Sequence, residues 1–114
     1  MKEDSLIQLI KVAIVSPDRR ELYLSAVPKM TAEEKLLFGI QLWKNVLDKS
    51  SQMAKAKLEI MIENMSETGE QYSEKDFLNV REEIINDLMR KKLRVDDQSE
   101  IDRLRTQLAQ LPLE

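Results

Sequence analysis

The chain has 114 residues, enough for one domain, and carries 21 acidic against 18 basic side chains for a net charge of −3. It contains neither Cys nor His, which excludes disulfides, cysteine-based zinc sites and thiol catalysis and removes the commonest metal ligand and general base. Its small, mixed charge sets up no long-range field to draw in nucleic acid or anionic lipid, and no apolar run approaches the ~20 residues of a membrane span.

Only two Gly and three Pro are present, so turn chemistry is scarce, and the abundance of Leu, Ile, Met, Glu, Lys and Gln favours helix. An all-α fold of about five helices is expected: a small helical bundle in one domain. Residues 6–15 are mostly apolar, but Glu3 and Asp4 precede them, Lys11 interrupts them and no small-residue cleavage site follows. This is a helix and not a signal peptide, so a soluble cytoplasmic protein is expected. Ser5 is the expected N-cap with Gln8 as its capping-box partner, and Leu6, Leu9, Ile10, Ala13 and Ile14 supply the buried face. Ser16-Pro17 ends this helix and opens a second over 17–26, with Asp18 and Glu21 near its positive end. Pro28 closes the N-terminal pair, 1–30.

Thr31 with Glu34 forms a capping box, and from there to Met65 the chain reads as one long amphipathic helix. At 100° per residue Leu36, Ile40, Trp43 and Leu47 form one band, and Ala54, Leu58, Met61 and Met65 return to it eighteen residues, or five turns, later. The average period is 3.6, so a straight or gently bent helix is expected and not a supercoil. Phe38, Leu42, Val46, Met53, Ala56 and Ile60 form a second band on its flank. Together the bands cover more than half the circumference, so at least two neighbours are required. At 1.5 Å per residue the helix is about 50 Å long, more than a compact globule of this size needs, so part of it projects or is covered by a second chain. Gly39 lies within the apolar arc, either as a tolerated glycine or as a notch for a crossing helix. Ser50 and Ser51 fall where the stripe skips a contact, but it resumes in phase, and a continuous helix is favoured over a bend.

Ser66, Thr68 and Gly69 mark a loop, after which Ser73 and Asp76 cap a helix over 74–93. A loop of this length suits an antiparallel helical hairpin spanning 31–93. Phe77, Val80, Ile84 and Leu88 line the second arm, and Arg81 enters its apolar arc as a snorkelling or ion-paired side chain. After Val95, Asp96-Asp97 interrupts the pattern. Ser99 with Asp102 then caps a last helix over 100–111, within a C-terminal segment 94–114, and its stripe is Ile101, Leu104, Leu108 and Leu111.

Chemistry-bearing patterns are few. Glu59 and Glu63 stand one turn apart as in di-iron bundles, but without histidine and on the polar face, so no metal or cofactor is expected. No Gly-rich phosphate loop or nucleophile elbow occurs, and an enzyme is not expected. Nor is a small-molecule ligand indicated. Met53, Met61, Met65 and Met89 lie on apolar faces and are expected to fill core. Trp43 is expected to anchor the core, and becomes an interface hot spot if exposed.

The expected function is helix-mediated protein–protein interaction, as a homodimer or as an adaptor for another protein. Its candidate partner-binding residues are Leu36, Ile40, Trp43, Leu47, Met61, Met65, Ile101, Leu104, Leu108 and Leu111. The alternative is a small nucleic-acid-associated protein using Arg90, Lys91, Lys92 and Arg94 as anion contacts. That alternative is disfavoured because the cluster is short, lacks interleaved aromatics and also suits the negative end of a helix.

Overall fold

A computed structural model of the chain describes residues 1–94 and 97–113. Among them the fold is all-α. Helix α1 (Glu3–Ala13), α2 (Pro17–Ala26) and a 3₁₀ turn (Val27–Lys29) precede the long α3 (Ala32–Glu67). Then come α4 (Glu74–Leu78), α5 (Val80–Leu93) and α6 (Gln98–Leu108).

The capping box at Thr31 forms as its sequence dictates: the Thr31 hydroxyl accepts from the Glu34 N–H at 3.1 Å, and the Glu34 carboxylate accepts from the Thr31 N–H at 2.9 Å. From this start α3 runs 36 residues without a break through Ser50 and Ser51. That is about 54 Å of helix, and it sets the 55 Å long dimension of a molecule only 30 by 28 Å across. Beyond it, Thr68 and Gly69 turn the chain, with Gly69 at a φ of +74° that favours glycine.

The main core gathers Leu6, Leu9, Ile10 and Val12 of α1, Val27, and Leu42, Trp43 and Val46 of α3. Opposite them lie Ile85 and Met89 of α5 and Ile101, Leu104 and Leu108 of α6. A smaller second cluster lies further along α3, where Ala54 and Met61 meet Val80, flanked by Leu58, Tyr72, Phe77 and Ile84. Tyr23 on α2 leans on Phe38 of α3 with ring centroids 5.0 Å apart, an arrangement that adds to simple area burial. Gly39 is buried, and a β-carbon there would sit 2.3 Å from the Met1 sulfur. The notch therefore receives a flexible side chain, not the backbone of a crossing helix.

Several boundaries differ from the sequence expectation. Ser5 does not cap α1: the helix starts at Glu3 with no side-chain cap, and the buried Ser5 hydroxyl donates to Gln107 of α6. Glu3 and Asp4 stabilise the earlier start by their charge at the positive helix end. The helix expected over 74–93 divides at Asn79, giving six helices and not five among the described residues. Ser73 and Asp76 form their capping box as expected. Asn79, a weak helix former, then takes φ −94° and ψ 0° and ends α4. Helix α6 begins two residues early because Asp97, not Ser99, is the cap, its carboxylate accepting from both the N–H and the hydroxyl of Ser99. It ends at Leu108, where 3₁₀-type bonds tighten the last turn to Leu111. Of the interruption expected at Asp96-Asp97, Asp96 lies outside the described residues and Asp97 is the α6 cap. Arg81 is exposed and reaches Glu82 at 3.8 Å.

One buried polar atom stands out. The Ser50 hydroxyl is 1% exposed and has no hydrogen-bond partner among the described residues. A buried unsatisfied hydroxyl costs about 1–3 kcal/mol, and Ala is also the better helix former. Ser50→Ala is therefore expected to stabilise the protein by about 1 kcal/mol, read as a higher urea midpoint at an unchanged slope. An unchanged midpoint would place a water molecule on the hydroxyl.

Candidate functional site: the open flanks of the long helix

The two halves of α3 are covered unequally. Its first half meets α1, α5 and α6, and those elements bury Gly39, Leu42, Trp43 and Val46. Among the described residues the apolar cluster of its second half is completed by the hairpin's returning arm, which covers the inward Ala54 and Met61 and half-buries Leu58. Each flank of that half is left apolar and open. One carries Met53 and Ile60 at 47% and 56% exposure, with the exposed Ala56 between them. The other carries Ile62 at 59%, and Met65, at the end of the inward band, is 42% exposed. Helix α4 adds the exposed Leu78 near the same end of the molecule. Scattered exposed leucines such as Leu22 and Leu37 are ordinary, whereas apolar residues at three- and four-residue spacing along one helix are not.

A shallow groove runs beside the first of these flanks, between α3 and the α4–α5 arm. It is lined by Lys57, Ile60, Asn64, Tyr72, Asp76 and Glu83. Its polar wall is pre-arranged: the Asn64 amide donates to the Tyr72 hydroxyl at 3.3 Å, and that hydroxyl donates to Glu70. The bond to Glu70 raises the Tyr72 pKa above the usual phenol value, because the accepting carboxylate disfavours a phenolate beside it. Two carboxyls are pulled the other way by local caps: Glu34 by the Thr31 N–H it accepts from, and Asp97 by the Ser99 hydroxyl and N–H.

The residues expected to bind a partner divide by environment. Trp43, Met61, Ile101, Leu104 and Leu108 are buried within the chain. Leu36, Ile40, Leu47 and Leu111 are half-buried, and Met65 is exposed. Most of that stripe thus faces the chain's own bundle. On the second half of α3 the exposed large apolar side chains are Met53 and Ile60 on one side of the inward face, Ile62 on the other, and Met65 at the end of the inward band. Their signal in the sequence was an apolar arc too wide for one neighbour on a helix longer than its partners.

Trp43 is held in part by a polar clip that periodicity does not reveal. Arg105 on α6 stacks over the indole with its guanidinium carbon 6.0 Å from the ring centroid. The same guanidinium donates to Asn86 at 3.0 Å and to Glu82, both on α5. This ties three helices together through one side chain.

The basic cluster sits at the C-terminal end of α5. Arg90 is engaged by Asp87 at 3.1 Å and by Gln98, while Arg94 closes the helix in the left-handed conformation at φ 55°. Lys91 is exposed and Lys92 half-buried. Glu59 and Glu63 are exposed on α3, and among the described residues no three acidic side chains converge into a cation site. No helix among them is long and apolar enough to cross a membrane. Comparison with protein-family models, with curated proteins and with solved structures gave no match.

Proposed function

We propose that this chain is a non-enzymatic helical interaction module of the cytoplasm. It acts by self-association or as an adaptor, through the apolar flanks of the second half of α3. The observation that carries the reading is the open flank of Met53 and Ile60, with Ile62 exposed on the opposite flank, on a helix whose inward Ala54 and Met61 are already buried. Burying one such side chain against a partner stabilises a complex by roughly 1.5–3 kcal/mol, and a helix face laid into an apolar groove is a recurrent mode of recognition. The alternative of nucleic-acid binding has less support, because Arg90 of the short cluster is already engaged by Asp87 and Gln98.

Light scattering over a wide dilution series, paired with affinity capture on the full chain, tests the reading. The wild type is expected to form a complex, with its own copy or with another protein, that the doubly charged variant Ile60→Lys/Ile62→Glu loses while keeping its helicity and melting temperature. If the variant matches the wild type in both measurements, the reading is wrong.

A further inference from the structure

Resting on that reading, we propose that the occupant of the Met53–Ile60 flank is a second copy of this chain, packed antiparallel against α3 about a two-fold axis level with residue 58. The argument is the order of charges along the flank. At 100° per residue, Lys49, Met53, Ala56, Ile60, Glu63 and Glu67 share one band, with spacings of 4, 3, 4, 3 and 4 residues. All six are exposed. Toward the N-terminus the band is closed by the buried Leu42, so its open length runs from Lys49 to Glu67, five helical turns. It is basic at one end, apolar in the middle and acidic at the other. Among the described residues Lys49, Glu63 and Glu67 form no ion pair.

Such a band is complementary to itself only when reversed. Side by side in parallel, Lys49 would face Lys49 and Glu67 would face Glu67. Antiparallel, with positions 49 and 67 level, each Lys49 meets the partner's Glu67, and the two-fold axis makes the pair occur twice. The same register sets Ile60 opposite the partner's Ala56, so the larger side chain seats over the smaller one, again twice. It also sets Met53 opposite the partner's Glu63, whose carboxylate lies within reach of the neighbouring Gln52 as an amide donor. Each Lys57 lies beside the axis in the groove of its own chain, which Asp76 and Glu83 also line. A crossing angle near the +20° of bundle helices keeps such bands in contact over several turns.

Specific, stable interfaces bury about 1,200–2,000 Å². One narrow band from each copy falls at or below that range, so the dimer is expected to dissociate on dilution and to weaken with added salt as its terminal pairs are screened.

Sedimentation of the full chain at low salt reads this directly. The mass is expected to rise with concentration from 13.3 kDa toward twice that value. Lys49→Glu alone, or Glu67→Lys alone, turns both terminal pairs into like-charge contacts and is expected to weaken dimerisation about fivefold or more. The double swap Lys49→Glu/Glu67→Lys restores it. All three variants alter exposed positions, and unchanged helicity and melting confirm that they fold. A double swap as weak as the two single changes combined overturns the register. A dimer indifferent to these changes and to Ile60→Lys overturns the surface, yet leaves the interaction-module reading standing. A monomer at every concentration overturns the self-pairing, and the capture experiment above then decides the broader reading on its own.

Discussion

Trp43→Ala is expected to destabilise the protein by about 3–5 kcal/mol, the range for removing a large aromatic side chain from a packed core. Trp43 is 4% exposed, and its neighbours in the core come from α1, α5 and α6 as well as α3, so no single helix can shift to fill the space. The loss has a second part. Without the indole, the guanidinium of Arg105 keeps its bonds to Glu82 and Asn86 but lies over a void, and the cation–π contact, worth roughly 0.5–2 kcal/mol, disappears. Calorimetry should show a melting temperature lower by more than about 10 °C, given several degrees per kcal/mol for a domain of this size. Trp43→Phe keeps an aromatic face and should lose much less. Leu37→Ala, at a position 58% exposed on the same helix, should change stability by no more than about 0.5 kcal/mol. Equal effects at Trp43 and Leu37 would contradict the packing described above.

Ser51→Pro is expected to have an effect of similar size by a different route. Ser51 is exposed, so no core contact is lost when its side chain changes. Proline within a helix removes one backbone hydrogen bond and clashes with the preceding turn, at about 3 kcal/mol or more. The position matters because it lies between the two apolar clusters. The larger, around Leu6, Trp43, Ile85 and Leu104, draws on four helices. The smaller, around Ala54, Met61 and Val80, has only α3 and the returning arm to support it. Hydrogen exchange should therefore show protection lost first over residues 54–67, with the first half of α3 retained. Uniform loss along α3 would mean that both clusters open as one cooperative unit. A Gly or Ala in place of the proline separates the backbone effect from the substitution itself, and neither should approach its magnitude.

Local chemistry was legible where it is self-contained. The capping boxes Thr31–Glu34 and Ser73–Asp76 involve residues three apart, so reading them required no knowledge of what packs nearby, and both form. The phase of the long helix through Ser50 and Ser51 was equally local, since an apolar stripe that resumes in register favours a continuous helix over a bend, and α3 is continuous there. Ser5 shows the opposite case. Its side chain had a plausible local partner, but α6 brings Gln107 against it, and a tertiary hydrogen bond replaced the cap. Asn79 is a third kind: one weak helix former inside a periodic run, where the stripe Phe77, Val80, Ile84 and Leu88 continues across a backbone break.

By itself the amino-acid sequence determined that this chain is helical, where its long helix begins, and that this helix carries more apolar surface than one neighbour can cover. Those properties follow from spacing and from bonds within a few residues. The tertiary structure alone decided which apolar residues that surplus falls on. Trp43, Leu104 and Leu108 share the same kind of periodic signal as Met53 and Ile60, and what separates them is which helices lie close enough to remove them from water. The first half of α3 has α1, α5 and α6 around it; the second half has one thin arm, and its flanks stay open.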